Sequence, residues 1–151
     1  MSLYLVRHGK YLSSDQDPKK GLSQYGSEEI KRVAGQIKKF RSPVFCIKHS
    51  GKKRALQTAE IIASVLNPDI KIQKINGINP QDDVISFADK IDNDKNEMLV
   101  GHLPFMEKLI SYLITGSQDK KVLEFLNGTA VCLNKELREW VIQWAVQPGN
   151  K

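Results

Sequence analysis

The sequence has few of the features that mark special classes of protein. Its two cysteines, Cys46 and Cys132, lie in separate apolar runs without metal-type spacing. We expect them to be reduced, buried thiols in strands, with a structural disulfide as the alternative. No apolar run approaches the roughly 18 residues that span a membrane. Charges also interrupt the stretch from Met1 to His8, where a signal peptide would need a longer apolar run. These absences predict a cytoplasmic protein without a membrane partner.

Aromatic residues are also scarce, at 7% of the chain, whereas positive charge is in excess. Lys and Arg number 23 against 17 Asp and Glu, and the net charge of +6 suits nucleic acid, an anionic surface or an anionic substrate. The basic residues occur as scattered pairs such as Lys19-Lys20 and Lys52-Lys53, without interleaved aromatic residues. Because RNA-binding surfaces combine the two types, we predict no nucleic-acid partner.

Two common phosphate-binding motifs, the Walker pattern and G-x-G-x-x-G, are absent. Metal ligands are sparse as well, since no Asp or Glu adjoins His8 or His102, and a metal site needs a denser set of such groups. We therefore predict neither a metal ion nor another cofactor.

The 151 residues, 40% of them hydrophobic, have the size and composition of one globular domain. We predict a single domain over residues 1–151, acting as a monomer. Strand-type runs at 3–6, 44–48, 70–75 and 98–101 alternate with helical segments, the first of which has Ser23 as its expected N-cap. This alternation predicts a three-layer α/β/α sandwich around a mostly parallel sheet.

The last third of the chain departs from this alternation. We predict a short helix over 121–126 and two strands over 129–133 and 140–146, which would extend the sheet as an antiparallel edge. The alternating residues of the last strand should pack one face on the core, with a ligand platform as the minor alternative. They are Trp140, Ile142, Trp144 and Val146.

Polar residues follow the ends of two predicted strands. Arg7, His8 and Gly9 end the first strand, and His102 ends the fourth. Arg54 lies in the first turn of a helix, where the helix N-terminus already favours anions. Because ligands bind beyond the carboxyl ends of strands in such sheets, these groups would form a phosphate pocket. A neutral imidazole in it could attack phosphorus, and the missing side chain of Gly9 would let a substrate approach the backbone.

Four segments of the chain resemble the histidine phosphatase, or phosphoglycerate mutase-like, superfamily. Leu5 to Gly9 contains the family's Arg-His-Gly signature, and Leu22 to Gly26 resembles its Leu-Ser/Thr-x-x-Gly helix start. Ser50 to Ala59 resembles its Ser-Pro-x-x-Arg-Ala-x-x-Thr-Ala segment, and Val100 to Pro104 its Gly-His-x-Pro motif. The segments occur in the family's order.

This resemblance implies the family's fold and assigns site residues. His8 would be the phosphorylated nucleophile, and Arg7, Arg54 and His102 would complete the phosphate pocket with help from the backbone N–H of Leu103. Within the family the chain looks like the SixA-type phosphohistidine phosphatases, including their variant with His-Ser-Gly-Lys before the second arginine segment. The histidine of that variant, His49, we interpret as a rim or packing residue rather than a catalyst.

The chain departs from the family at two places. Lys10 to Leu12 replace the Glu or Gln and the later Asn of mutase-type members, which makes a mutase doubtful. The family's carboxylate proton donor is missing from Ile75 to Asn79 and from the position after His102, which leaves Asp82 and Asp83 as the nearby candidates.

Three functions remain open at this point. The leading one is hydrolysis of phosphohistidine on proteins, because an imidazole leaving group has a pKa near 6.5 and needs less protonation than an alkoxide. The second is a phosphomonoesterase of small phosphorylated molecules. The third is a catalytically weak phosphate-binding module.

Overall fold

The computed structural model describes residues 1–92 and 95–149. Strands and helices alternate up to Thr115, and two strands follow a long irregular segment. The elements are β1 Ser2–Arg7, α1 Gln24–Lys39, β2 Cys46–His49, α2 Lys53–Leu66, β3 Lys71–Lys74, α3 Val84–Ala88, β4 Glu97–Gly101, α4 Phe105–Thr115, β5 Ala130–Glu136 and β6 Glu139–Val146.

The strands form one sheet in the order β3-β2-β4-β1-β5-β6. Pairing is parallel from β3 to β1 and antiparallel from β1 through β5 to β6. The predicted sandwich with an antiparallel C-terminal edge is therefore confirmed. The arrangement places β1 and β4, whose ends carry the two candidate histidines, side by side in the middle of the sheet.

Two apolar clusters cover the two faces of the sheet. Alternate residues of β1 show the division, because Tyr4 and Val6 belong to the cluster with α1 and α2, whereas Leu3 and Leu5 belong to the cluster with α3 and α4. A strand covered on both faces is apolar almost throughout, which explains the continuous run in the sequence. The first polar side chains of β1 therefore appear where the strand leaves the core.

The helices differ in how their N-terminal ends are satisfied. Ser23 caps α1 as predicted, since its hydroxyl accepts a hydrogen bond from the backbone N–H of Gly26 at 3.0 Å. Asp83 caps α3 in the same way. The N-cap positions of α2 and α4, Lys52 and Pro104, make no such side-chain bond. Both of these helices start beside the candidate site.

The helix predicted over 121–126 is wrong, because this segment is irregular. Its apolar side chains are nevertheless used, since Val122, Leu123 and Phe125 contribute to the cluster with α3 and α4. The Phe125 carbonyl accepts a hydrogen bond from Arg7 Nη1 at 2.8 Å. Tertiary contacts thus replace the local helical hydrogen bonds that the sequence pattern suggested.

The predicted single buried face of β6 is also wrong. Cys132 pairs with Trp144 and Leu133 pairs with Ile142, so one extra residue forms a bulge in β6. A bulge reverses the alternation of side chains on its two sides. Trp144 therefore packs with Tyr4 on the α1–α2 side, whereas Trp140 packs on the opposite side of the sheet.

Both cysteines are unpaired thiols in strands, as predicted. Cys132 is buried as expected, whereas Cys46 is partly exposed and the prediction of its burial is wrong. Within the described part of the chain, no helix has both the length and the apolar character required to cross a membrane.

Candidate active site

The register between β1 and β4 brings the two predicted site histidines together. Arg7 lies opposite Gly101 in this parallel pair, and the backbone N–H of His8 donates to the Gly101 carbonyl at 3.1 Å. The residues that follow these two, His8 and His102, are therefore neighbours. The ring centroids of His8 and His102 are 4.9 Å apart, and both side chains are buried.

The His8 imidazole is oriented by its own neighbour. Its Nδ1 lies 2.9 Å from the Gly9 carbonyl oxygen. Because a carbonyl can only accept a hydrogen bond, Nδ1 carries the proton and Nε2 keeps its lone pair. Burial lowers the pKa of His8 to about 4, with the charges of Arg54 and Arg7 acting in the same direction. The imidazole is therefore neutral at physiological pH.

Gly9 serves the site through its backbone rather than through open space. A Cβ at this position would lie 2.8 Å from Ile30 Cγ1, so the bare Cα faces α1 and not a substrate. The Gly9 N–H donates to Thr58 Oγ1 at 3.1 Å, and the Thr58 hydroxyl donates to the Arg54 carbonyl at 2.8 Å. The sequence-based expectation that Gly9 admits a substrate is therefore replaced by a role in orienting His8.

His102 has one partnered and one unpartnered ring nitrogen. Its Nε2 lies 2.6 Å from Ser50 Oγ, whereas its buried Nδ1 has no hydrogen-bond partner. Burial lowers the pKa of His102 to about 3, and its neighbours His8 and Arg54 disfavour a second positive charge and act in the same direction. The ring is held by Ser50, and the hydrogen-bonding capacity of Nδ1 is unused.

The two arginines present further unpartnered nitrogens. Arg7 donates from Nη1 to the Phe125 carbonyl, but its buried Nε has no partner. Arg54 Nε is likewise buried without a partner, while the guanidinium carbon lies 4.9 Å from the centroid of the Tyr11 ring. Burial lowers the pKa of Arg7, an effect opposed by Tyr11 and Glu107.

These groups together define what we call the phosphate pocket, consisting of Arg7, His8, Arg54 and His102. Three of its buried nitrogen atoms lack partners, although buried polar groups in proteins are nearly always hydrogen-bonded. The pocket also adjoins the starts of α2 and α4, which have no side-chain cap, and the N-terminus of a helix favours anions. Such a pocket can hold a tetrahedral oxyanion against a neutral imidazole.

Several contributors to the pocket were not predicted. Ser50 and Thr58 lie inside the quoted motif segment, but only the fold shows that they hold His102 and the Gly9 backbone. Tyr11 lies against His8, with ring centroids 5.2 Å apart in an edge-on arrangement of 71°. Glu107, in the first turn of α4, acts electrostatically on Arg7. Glu107 lies five residues after His102, and this short distance in the sequence could have indicated a carboxylate near the pocket.

The two predicted acid candidates lie elsewhere. Asp82 accepts from the Asn79 N–H at 2.8 Å, and Asp83 accepts from the Ile85 N–H at 3.0 Å as the cap of α3. Both line a separate cavity after β3. Hydrogen bonds from Ser86 lower the pKa of Asp83, which is the opposite of what a proton donor requires. The structure gives both carboxylates local structural partners.

Two other sequence predictions concern residues at the edge of the pocket. Leu103 directly follows His102 and precedes α4, half-buried. The help expected from its backbone N–H stays a prediction. His49 is buried, and its Nδ1 accepts from the Gly51 N–H at 3.0 Å, which gives it a place in the turn before α2.

Within residues 1–92 and 95–149, no group of three or more His, Cys, Asp or Glu residues is arranged to hold a metal ion.

Comparison with known proteins places this geometry in a family. A family model described as the histidine phosphatase superfamily, branch 1, matches residues 3–79, half of the chain. No curated protein sequence matches the chain significantly.

Solved structures share the fold over nearly the whole chain. The protein histidine phosphatase SixA, complexed with tungstate, matches with a TM-score of 0.82 and 21% identity over 98% of this chain and 97% of that one. A protein of Agrobacterium tumefaciens to which the SixA function is ascribed matches with a TM-score of 0.78 and 21% identity over 97% of both chains. Phosphoserine phosphatase of Entamoeba histolytica, solved with 3-phosphoglyceric acid, matches with a TM-score of 0.70 and 16% identity over 98% of both chains. Sequence and fold agree, and the chain belongs to branch 1 of the histidine phosphatase superfamily.

Proposed function

We propose that this phosphatase hydrolyses phosphohistidine on proteins through a covalent intermediate on His8. The observation that carries the proposal is the buried, neutral imidazole of His8 beside three unpartnered buried nitrogens of Arg7, Arg54 and His102. A neutral nucleophile and unused hydrogen-bonding groups at one point are what transfer of a phosphoryl group requires.

The reaction proceeds in two displacements at phosphorus. His8 Nε2 attacks in line, so that a bond between Nε2 and phosphorus forms while the bond to the leaving nitrogen breaks. The substrate ring, protonated on its other nitrogen, takes the electron pair of the broken bond and leaves as neutral imidazole. The arginines and His102 stabilise the charge on the equatorial oxygens, assisted by the predicted contribution of the Leu103 N–H. A water molecule then attacks the phosphorylated His8, which releases inorganic phosphate and restores the neutral imidazole.

The placement of the carboxylates supports a leaving group that needs little protonation. Asp82 and Asp83 are held in a separate cavity by their own turn and helix. Positioned acid catalysis typically contributes ~10²–10⁴-fold, and an alkoxide leaving group depends on it. An imidazole leaves with a pKa near 6.5 and depends on it far less. The pocket is therefore suited to a phosphoramidate.

One observation favours a second candidate, a phosphomonoesterase of small molecules. Glu107 lies close enough to Arg7 to affect its pKa, and a carboxylate there could protonate an alkoxide. The third alternative, a phosphate-binding module without catalysis, receives no support from a pocket that holds an unprotonated nucleophile.

A hydrolysis panel tests the proposal. The wild-type enzyme and a Glu107→Gln variant are compared on a phosphohistidine peptide, an aryl phosphate and an alkyl phosphate. We expect the phosphohistidine peptide and the aryl phosphate to exceed the alkyl ester by ~10²–10⁴-fold in kcat/KM, with little effect of Glu107→Gln on the first two. Equal rates on all three, with a selective loss on the alkyl ester in Glu107→Gln, would favour the phosphomonoesterase.

A cytoplasmic, monomeric, single-domain enzyme over residues 1–151 remains part of the proposal.

A further inference from the structure

A groove of about 680 Å³ includes Arg54 in its lining and therefore adjoins the phosphate pocket. We call it the basic groove, because five of its eight lining residues are cationic. They are Lys19, Lys20, Lys52, Lys53 and Arg54. We propose that the basic groove docks a carboxylate-rich segment of the protein that carries the phosphohistidine, an inference that rests on the proposed function.

The groove is built rather than accidental. Its two walls are the loop around Lys19 and the turn before α2, and Asp17 ties them together. The Asp17 carboxylate accepts from Lys53 Nζ at 2.7 Å and from the backbone N–H groups of Lys19 at 3.1 Å and Gly21 at 2.9 Å. A second tie joins the Leu22 N–H to Gln57 Oε1 at 2.6 Å.

The charge of the groove is larger than a phosphate alone requires. Asp17 is occupied by Lys53, and the other lysines of the lining are exposed. Lys74 adds a further amine at the edge, since its Nζ lies 3.2 Å from where a Cβ of Gly51 would be. Only Arg54 belongs to the phosphate pocket. The remaining cations match negative charges that lie beyond the transferred phosphoryl group.

The chemistry of the lining favours protein carboxylates over nucleic acid. None of the eight lining residues, all of them within the described chain, is aromatic. Single-stranded nucleic acids are held by aromatic side chains on which bases stack. Exposed lysines with flexible side chains instead attract an acidic protein surface over a distance, and salt readily screens this attraction.

The test uses two phosphohistidine peptides that differ only in their flanks, one rich in Asp and Glu and one with Asn and Gln in their place. The double variant Lys19→Glu/Lys74→Glu reverses one charge on each side of the groove without touching the phosphate pocket. Its control is Lys31→Glu/Lys121→Glu, which makes the same change at exposed lysines that do not line the groove.

We expect the groove variant to lose about tenfold or more in kcat/KM on the acidic peptide, the scale of electrostatic steering. The amide peptide and free phosphohistidine should be unaffected, and the control variant should behave like the wild type. Added salt should weaken the wild-type preference for the acidic peptide. Equal losses on both peptides, or none on either, would overturn the proposal.

Binding of the unphosphorylated acidic peptide, followed by fluorescence anisotropy, separates this proposal from the proposed function. If no phosphohistidine substrate is turned over, but the peptide binds the wild type and not the groove variant, the proposed function fails and the docking proposal is supported. If turnover is normal but the peptide does not bind, the groove proposal fails alone. Tighter binding of a single-stranded oligonucleotide would replace the protein partner by a nucleic acid.

Discussion

Two polar regions follow the strands of the parallel part of the sheet, and they differ in how many of their polar atoms are already partnered. In the turn after β3, Asp82 and Asp83 bind the backbone of their own segment. In the phosphate pocket, buried nitrogens of Arg7, Arg54 and His102 have no partner. Unused hydrogen-bonding capacity in a buried place destabilises a fold unless a ligand completes it. The comparison therefore supports the proposal that the pocket binds the phosphoryl group, whereas the two carboxylates of the turn stabilise their own segment.

The helix caps repeat this contrast. The helices that begin at Gln24 and Val84 are capped by Ser23 and Asp83, whereas α2 and α4 begin beside the pocket without a side-chain cap. An uncapped N-terminus leaves backbone donors and a partial positive charge for an anion. The two helices with side-chain caps thus have their N-terminal N–H groups partly satisfied, whereas the two helices without such caps begin beside the phosphate pocket.

The largest expected effect comes from removing the nucleophile. His8→Ala should lower kcat by on the order of 10³-fold or more, the scale seen when one member of a catalytic set is removed. Circular dichroism and thermal unfolding would show that the fold is retained. Undiminished turnover in a folded His8→Ala enzyme would remove the pocket from the mechanism.

Arg54→Lys keeps the positive charge but loses the planar fork and the contact with Tyr11. We expect kcat/KM to fall on the order of 10²-fold, because one donor to a transition-state oxygen is worth about that much. Steady-state kinetics on an aryl phosphate measures this effect. If kcat/KM falls only because KM rises, with kcat unchanged, Arg54 binds the ground state and the transition state equally.

The low pKa of His8 predicts an unusual pH dependence. A histidine with its ordinary pKa of 6.5 would be only about 3% neutral at pH 5, a loss of roughly 30-fold. His8, whose pKa is lowered to about 4, stays mostly neutral there and loses activity only as the pH falls through that value. An aryl phosphate suits the measurement, with kcat/KM corrected for ionisation of the substrate. An inflection near pH 6.5 assigned to the enzyme would contradict the assigned state of His8.

The smallest effect is expected in the turn after β3. Asp83→Ala removes the cap of α3 and should lower the midpoint of thermal unfolding slightly, because two backbone N–H groups lose their acceptor. Activity on every substrate should remain at the wild-type level, and Asp82→Asn should behave in the same way. A selective loss on alkyl phosphates would return the carboxylates to the reaction.

Much of the fold could be predicted because local patterns and tertiary packing agree. The fully buried run of β1, the Ser23 cap and the strand-helix alternation all point to the observed sandwich. The predictions failed where packing overrides the local pattern. Residues 121–126 are irregular rather than helical, and the Phe125 carbonyl accepts a hydrogen bond from Arg7. The bulge in β6 places Trp140 and Trp144 on opposite faces of the sheet.

That the residues of the phosphate pocket lie together could be predicted from the strand ends, whereas the contacts that support them could not. The hydrogen bond between Ser50 and His102 depends on how β2 pairs with β4, which no local pattern in the sequence encodes. Thr58 meets Gly9 only because the fold brings α2 beside the segment that follows β1. Such contacts join residues about fifty positions apart, so they become visible only in the folded chain.

The phosphorylated enzyme is the most direct test of the central claim that His8 is the nucleophile in a pocket built for a phosphoryl group. Wild-type enzyme is mixed with excess substrate, quenched rapidly under alkaline conditions and digested, and the peptides are analysed by mass spectrometry. We expect one phosphoryl group on His8, stable to alkali, lost in mild acid and missing from His8→Ala. Turnover without any phosphorylated His8 peptide, or with the phosphoryl group on His102, would contradict it.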